Sequence, residues 1–244
     1  MPYEKTIVRT DDGDCNIHVF SPVGPGPCPG VIFYMDAGGV RPAVLDMAGR
    51  LADSGFVVLF PDLFYRFGSY GPLVPANVFK GDVMAILGPL MATTGNDKAA
   101  RDTEAFIAYL DGRPDVKGNR YGAVGFCMGG GMAITSAAAY PDRFAAVASF
   151  HGGNLATDAP TSPHRFAPEL KAELYIAAAD SDEHYPADMA ERFEASLQEV
   201  GVRYRAETYK CAAHGWMMPD FPVYSHEAAE RGWTELLTFF RRTL

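Results

Sequence analysis

Short runs of apolar, β-branched or aromatic residues recur along the chain at 15–20, 30–34, 56–60, 121–125, 145–150, 173–177 and 204–209. Segments with helical periodicity stand between and after them, at 42–54, 97–111, 129–140, 187–200 and 225–242. Few folds accept such an order. A strand that alternates with a helix must run parallel to its neighbours, and the helices must cover both faces of the resulting sheet. The boundaries carry the usual punctuation. Pro42 opens its helix and Gly55 follows its end, Pro141 follows the third helical segment, and Gly201 follows the fourth. No internal repeat and no low-complexity tract interrupts the pattern, so residues 1–244 are expected to form a single domain. Segments 68–95 and 154–169 are less regular, and the second is expected to be a surface loop.

The balance of residue types limits partners. The chain is 48% hydrophobic with 12% aromatic residues, enough for a substantial core, and its formal charge is −9. Nucleic acids and anionic membranes both need a basic face, so neither is an expected partner. No apolar run reaches the length of a membrane span, and Met1-Pro2-Tyr3-Glu4-Lys5 does not begin a secretory signal, so the expected location is cytoplasmic. The four cysteines (Cys15, Cys28, Cys127 and Cys211) are far apart and are expected to be reduced thiols. Cys211 and His214 have a Cys-x-x-His spacing but no second ligand pair, so no metal site is expected. No Gly-x-Gly-x-x-Gly follows the first strand and no Gly-Lys-Ser/Thr loop is present, so no cofactor is called for.

One strand–turn–helix junction carries chemistry. Tyr121-Gly-Ala-Val-Gly125-Phe-Cys127-Met128-Gly129-Gly-Gly131 leads a buried strand into Gly-x-Cys-x-Gly and then into a small-residue helix. This is the pattern of a nucleophile elbow with cysteine as the nucleophile. The glycines let backbone approach the strained turn, and the following helix turns its unpaired N–H groups and positive end toward the sulfur.

Sites in open α/β sheets form beyond the carboxyl ends of strands. Asp180 follows the strand Leu174–Ala179, and His214 follows the strand that ends near Tyr209. Cys127, Asp180 and His214 thus come in the order nucleophile, acid, histidine. Asp182 and Glu183 compete with Asp180 for the acid role. His151 ends another strand and is a candidate for the same cleft, as is Trp216 beside His214. In Met35-Asp36-Ala37-Gly38-Gly39, a buried strand runs into a small-residue turn, which supplies one oxyanion-hole donor. The expected donors are the backbone N–H groups of Ala37 and Met128.

These residues together resemble the dienelactone hydrolase (carboxymethylenebutenolidase) family. The likeness runs from about Gly30 to the C-terminus. It rests on Gly125-Phe-Cys-Met-Gly-Gly130, Phe60-Pro61-Asp62-Leu63-Phe64-Tyr65-Arg66, Asp180 and Ala213-His214-Gly215. The resemblance implies an α/β-hydrolase fold without a large cap domain, and a Cys-Asp-His triad that opens enol-lactones or activated esters through a cysteine acyl-enzyme. It also implies an oxyanion-loop carboxylate that holds the resting thiol, here Asp36 where relatives have Glu. Relatives bind a substrate carboxylate through arginines, one of them four residues after the catalytic histidine. Met218 stands at that position, so Arg41 and Arg66 are the replacement candidates. The expected partner is then a small lactone or ester. A non-catalytic scaffold that binds a small ligand, or a redox role for Cys127, are the alternatives.

Overall fold

The computed structural model describes residues 2–244. Eight strands form one sheet: β1 (Tyr3–Thr10), β2 (Gly13–Phe20), β3 (Cys28–Tyr34), β4 (Val57–Pro61), β5 (Val116–Phe126), β6 (Phe144–Phe150), β7 (Glu173–Ser181) and β8 (Tyr204–Ala213), in the order β1-β2-β4-β3-β5-β6-β7-β8. β1 pairs antiparallel with β2, and β2 pairs antiparallel with β4. From β4 to β8 every pairing is parallel. The alternating pattern therefore gives the parallel sheet expected. The strand absent from the sequence reading is β1. Only Val8 and Thr10 of its residues are buried, so its polar edge sequence gives almost no apolar signal.

The parallel strands carry long buried runs because helices cover both faces. β4 is buried throughout, and so are Tyr121–Phe126 of β5. The helices are α1 (Pro42–Asp53), α2 (Pro75–Val78), α3 (Val83–Met91), α4 (Asn96–Asp111), α5 (Met128–Ala139), α6 (Ala187–Glu199) and α7 (His226–Thr243). α1 begins on Pro42 at its first turn, and α7 begins with Ser225 Oγ accepting from Ala228 N. Phe33, Phe126 and Phe150 on adjacent central strands stack in a row, with ring centroids 4.9 and 5.5 Å apart. Truncating one such ring in a close-packed core costs about 3–5 kcal/mol, so this row is a stiff floor under the strand ends.

Among the described residues there is no large cap domain. The irregular segment 68–95 instead holds the short helices α2 and α3, which stand over the carboxyl ends of the strands. The expected loop 154–169 is only partly a surface feature. Leu155, Ala156, Pro163 and Ala167 are buried, and a short 3₁₀ helix spans Pro163–Glu169. No helix among the described residues is long and apolar enough to cross a membrane.

Candidate active site

Cys127 lies between the last residue of β5 and the first of α5, with φ 56° and ψ −120°. A non-glycine residue pays steric strain in this region of backbone space, and it persists only where the surroundings enforce it. The glycines show what enforces it. A Cβ on Gly125 would sit 1.9 Å from the Gly129 carbonyl oxygen, and one on Gly129 would sit 2.3 Å from that of Tyr34. Side chains at either position would push strand, turn and helix apart. Cys127 itself is half-buried, at the head of α5, whose first N–H groups have no side-chain cap.

His214 follows the last residue of β8, and its Nδ1 donates to Asp182 Oδ2 at 2.8 Å. The carboxylate against the histidine is therefore Asp182 and not Asp180. The reason lies in where β7 ends. The strand continues through Asp180 to Ser181, so the first residue past its carboxyl end is Asp182. Asp182 has a fully buried side chain, and its other oxygen accepts from His184 N at 2.9 Å. Asp180 instead points to the edge of the sheet. It accepts from Cys211 N at 3.2 Å and pairs with Lys210 at 3.3 Å, across a register shift between β7 and β8 where Cys211 has φ 58°. Those two contacts hold its carboxyl below the usual range.

Burial alone would lower the His214 pKa. The hydrogen bond to Asp182 and the neighbouring Cys127 sulfur overcome it and raise the imidazole to about 10. His214 Nε2 makes no hydrogen bond among the described residues, so it is free for a reacting group. A folded-state pKa above the ordinary 6.5 means the charged ring stabilises the fold fully below about 6.5, and this contribution is lost as pH rises through about 10. The gap in Tm between wild type and His214→Gln should therefore be widest near pH 6 and narrow steadily toward pH 10. A gap independent of pH would contradict the raised pKa.

Ala37, Gly38, Cys127, Met128 and His214 line one cavity of about 230 Å³. The N–H groups of Ala37 and Met128 donate to no acceptor among the described residues. The remaining walls come from α2, α3 and the loop after His214, through side chains such as Leu73, Val78, Phe79, Leu87 and Phe221. The only titratable side chains on this wall besides Cys127 are His184 and His214. The His184 ring packs edge-on against His214 with centroids 4.9 Å apart.

Several expected site residues stand elsewhere. Asp36 does not hold the thiol. Its carboxylate is gripped by Arg41 at 2.6 and 2.8 Å and accepts from Gly38 N at 2.9 Å. Arg41 is 1% exposed and also binds Asp220 at 2.7 Å, so it ties the oxyanion loop to the segment after His214 and offers no free charge to a substrate. Breaking such a buried pair leaves an uncompensated charge, which marks Arg41 as part of the framework. Arg66 pairs with Asp102 and Asp12, outside the cavity. Trp216 is fully buried against Tyr209 and lines no part of the cleft. His151 is fully buried beneath the elbow. Its Nδ1 accepts from Cys127 N at 3.2 Å, and burial first, then the nearby His214, hold its pKa well below the ordinary value. It supports the nucleophile's backbone as a neutral ring. The sequence ranks Asp182 only as a competitor of Asp180, and it does not point to His184 or to the α2–α3 walls. The end of β7 could have given the first; nothing in the apolar segment 83–91 announces a pocket wall.

The Pro61-Asp62-Leu63 motif acts on the oxyanion loop from behind. Val40 N donates to Tyr70 Oη at 3.0 Å, and the Tyr70 hydroxyl donates to Asp62 Oδ1 at 2.9 Å. Asp62 Oδ1 is fixed in turn by Phe64 N at 3.1 Å. Among the described residues no group of His, Cys, Asp and Glu side chains has the arrangement of a metal site.

A profile of the Dienelactone hydrolase family matches residues 16–244. The chain is 27% identical over 232 residues to the "Putative carboxymethylenebutenolidase" of Synechocystis sp., covering 93% of this chain and 91% of that one. It superposes on the "Putative Dienelactone Hydrolase" of Klebsiella pneumoniae with a TM-score of 0.86 at 22% identity, covering 98% of both chains. A dienelactone hydrolase-like promiscuous phosphotriesterase from metagenomic libraries superposes with a TM-score of 0.77 at 22% identity, over 100% of this chain and 99% of that one.

Proposed function

The chain belongs to the dienelactone hydrolase family, and from that premise we propose that it hydrolyses uncharged lactones or activated esters through a Cys127 thioester. The observation that carries the reading is the convergence of the Cys127 elbow, the Asp182–His214 pair and two unpaired N–H groups on one cleft. A protonated imidazole beside a cysteine favours the thiolate, which is the nucleophilic form. Cys127 attacks the carbonyl, and the N–H groups of Ala37 and Met128 hold the developing oxyanion. His214 delivers its proton to the leaving oxygen and then serves as base for the water that cleaves the thioester. Asp182 holds the ring in orientation and stabilises its charge throughout. The tetrahedral intermediate moves forward only if the leaving group departs about as readily as the thiolate. Enolates and phenolates do so, and amide nitrogens do not.

The walls argue for a neutral substrate. With Arg41 and Arg66 both neutralised in ion pairs and Met218 buried, no lysine or arginine lines the cavity, and the one cation there, the His214 ring, is already paired with Asp182. A carboxylate buried against the apolar walls would lose its hydration without a charge-assisted partner of its own. For a lactone bearing a carboxymethyl arm and the same lactone as its methyl ester, kcat/KM should favour the methyl ester by about 10-fold or more. A preference for the free carboxylate would overturn the neutral reading. Absence of turnover with both lactones and with p-nitrophenyl acetate would overturn the hydrolase reading.

The Asp62–Tyr70–Val40 chain supports the oxyanion loop in this scheme. Tyr70→Phe keeps the ring and removes the bridging hydroxyl, so the loop loses its backing while the substrate walls stay. The expected result is a kcat lower by roughly 10-fold to 100-fold with KM little changed, since oxyanion contacts matter chiefly in the transition state. Asp62→Asn, which still accepts from Tyr70, should retain most activity. A raised KM at unchanged kcat in Tyr70→Phe would assign Tyr70 to substrate binding instead.

A further inference from the structure

The arm of the cavity beside His214 has work left after the leaving group departs. Once Cys127 carries the acyl group, His214 is neutral and must take a proton from whatever attacks the thioester. Its Nε2 is buried, so the attacking oxygen reaches it through the same cavity of about 230 Å³ that held the leaving group. Leu73, Val78, Phe79, Leu87 and Phe221 wall that arm, and Val78 and Leu87 are buried. Phe79 meets Phe221 edge-on, with centroids 4.9 Å apart. Phe221 is fixed from behind, since Arg41 lies over its ring at 5.1 Å and a Cβ on Gly215 would sit 2.7 Å from its Cδ2. Besides Cys127 and His214, the side chains with hydrogen-bonding nitrogen or oxygen on the wall are Asn154 and His184, and both are exposed to solvent. A water in the arm needs several polar partners and finds few side chains to supply them. An uncharged apolar alcohol offers its hydroxyl to His214 and its chain to the walls.

We propose that the protein is also an acyltransferase, which passes the acyl group of an activated ester from Cys127 to an uncharged apolar primary alcohol held in this arm. The proposal rests on the cysteine acyl-enzyme reading above and adds an acceptor other than water. The alcohol oxygen attacks the thioester carbonyl while His214 Nε2 takes the hydroxyl proton. The carbon–sulfur bond then breaks, its electron pair returns to Cys127, and the thiolate–imidazolium pair of the resting site is restored. The nucleophile makes the transfer run one way. A tetrahedral intermediate that carries both sulfur and an alkyl oxygen expels the thiolate, the better leaving group. The new ester is therefore released, and it is a poor donor for a second round. A serine in place of Cys127 would lack that bias, because its alkoxide leaves no more readily than that of the alcohol.

The test uses p-nitrophenyl acetate as donor, with benzyl alcohol or 4-(hydroxymethyl)benzoate as acceptor, two alcohols that differ by a carboxylate. Acetate and the new ester arise from one acyl-enzyme, so their ratio, corrected by a Cys127→Ala blank, reads the acceptor site whatever the rate of acylation. Per mole, benzyl alcohol should capture the acetyl group on the order of 100-fold more often than water, which at about 50 mM alcohol sends roughly one acetyl in ten to benzyl acetate. Transfer to 4-(hydroxymethyl)benzoate should be lower by about 10-fold or more. Phe79→Ser, at a partly exposed ring, should cut the ratio of benzyl acetate to acetate by roughly 5-fold to 10-fold. Acetate as the sole product, equal transfer to the two alcohols, or a ratio unmoved by Phe79→Ser refutes the acyltransferase, while p-nitrophenolate release keeps the hydrolase reading. Without p-nitrophenolate release above the Cys127→Ala blank, both readings fall.

Discussion

Cys127→Ala should abolish turnover of lactones and p-nitrophenyl esters, by at least about 10⁴-fold in kcat, while the protein folds as before. The two halves of that expectation have separate physical grounds. Loss of activity follows from the sulfur being the only nucleophile on the cleft wall. Intact folding follows from its place. Cys127 is half-buried at the cleft, so removing its sulfur widens a pocket and opens no void in the core, and alanine bears the same backbone conformation without a larger side chain. Cys127→Ser should retain only traces, because a hydroxyl is far harder to deprotonate than a thiol. Mass spectrometry of wild type quenched during turnover should find the acyl group on the peptide that contains Cys127, and none on the alanine variant. More than a few per cent of residual activity in Cys127→Ala would remove the cysteine from its assigned role.

What the sequence makes legible here is whatever depends on neighbours along the chain. The elbow is local in its spacing: Gly125, Cys127 and Gly129 fall within one turn, and the contact that forbids a side chain on Gly125 is made by Gly129 itself, while the one on Gly129 is made by Tyr34 across the sheet. The parallel strands were legible because burial on both faces leaves unbroken apolar runs. β1 was not, since an edge strand with a polar sequence carries no such run. α3 was missed for the opposite reason. Its nine residues are apolar all round, so no amphipathic period appears, yet Leu87 and Leu90 are buried while Met84 remains exposed. Sequence says least about the two arginines, whose partners include remote carboxylates. Arg41 and Asp36 lie beside the oxyanion loop in sequence and look available to a substrate or a thiol. Arg41 and Asp36 pair with each other, and Asp220, 179 positions from Arg41, takes up the rest of the guanidinium. Composition and spacing cannot supply a contact of that separation.

The acid of the triad gives the sharpest test of that lesson, since two aspartates two residues apart make opposite predictions. Asp182→Asn should lower kcat by roughly 10³-fold to 10⁴-fold. The amide could still meet His214 Nδ1, but it would no longer stabilise the imidazolium and it can present its NH₂ to the ring, which would turn the tautomer the wrong way. The pKa of His214 should fall as well, because the hydrogen bond to Asp182 is the largest influence that raises it. The alkaline limb of the pH–rate profile should therefore move to lower pH in that variant. Asp180→Asn should leave kcat within about twofold of wild type. Its carboxylate is partly exposed and occupied by Lys210 and Cys211 N at the β7–β8 edge, and solvent-exposed ion pairs contribute little. The two variants need only one assay and a thermal melt, which shows that both fold. Comparable losses in kcat would mean that the sheet edge, through Cys211 and the register shift above His214, governs the histidine's position as much as its hydrogen bond does. A large loss in Asp180→Asn with near-normal rates in Asp182→Asn would return the acid role to Asp180 and require the His214 loop to rearrange before catalysis.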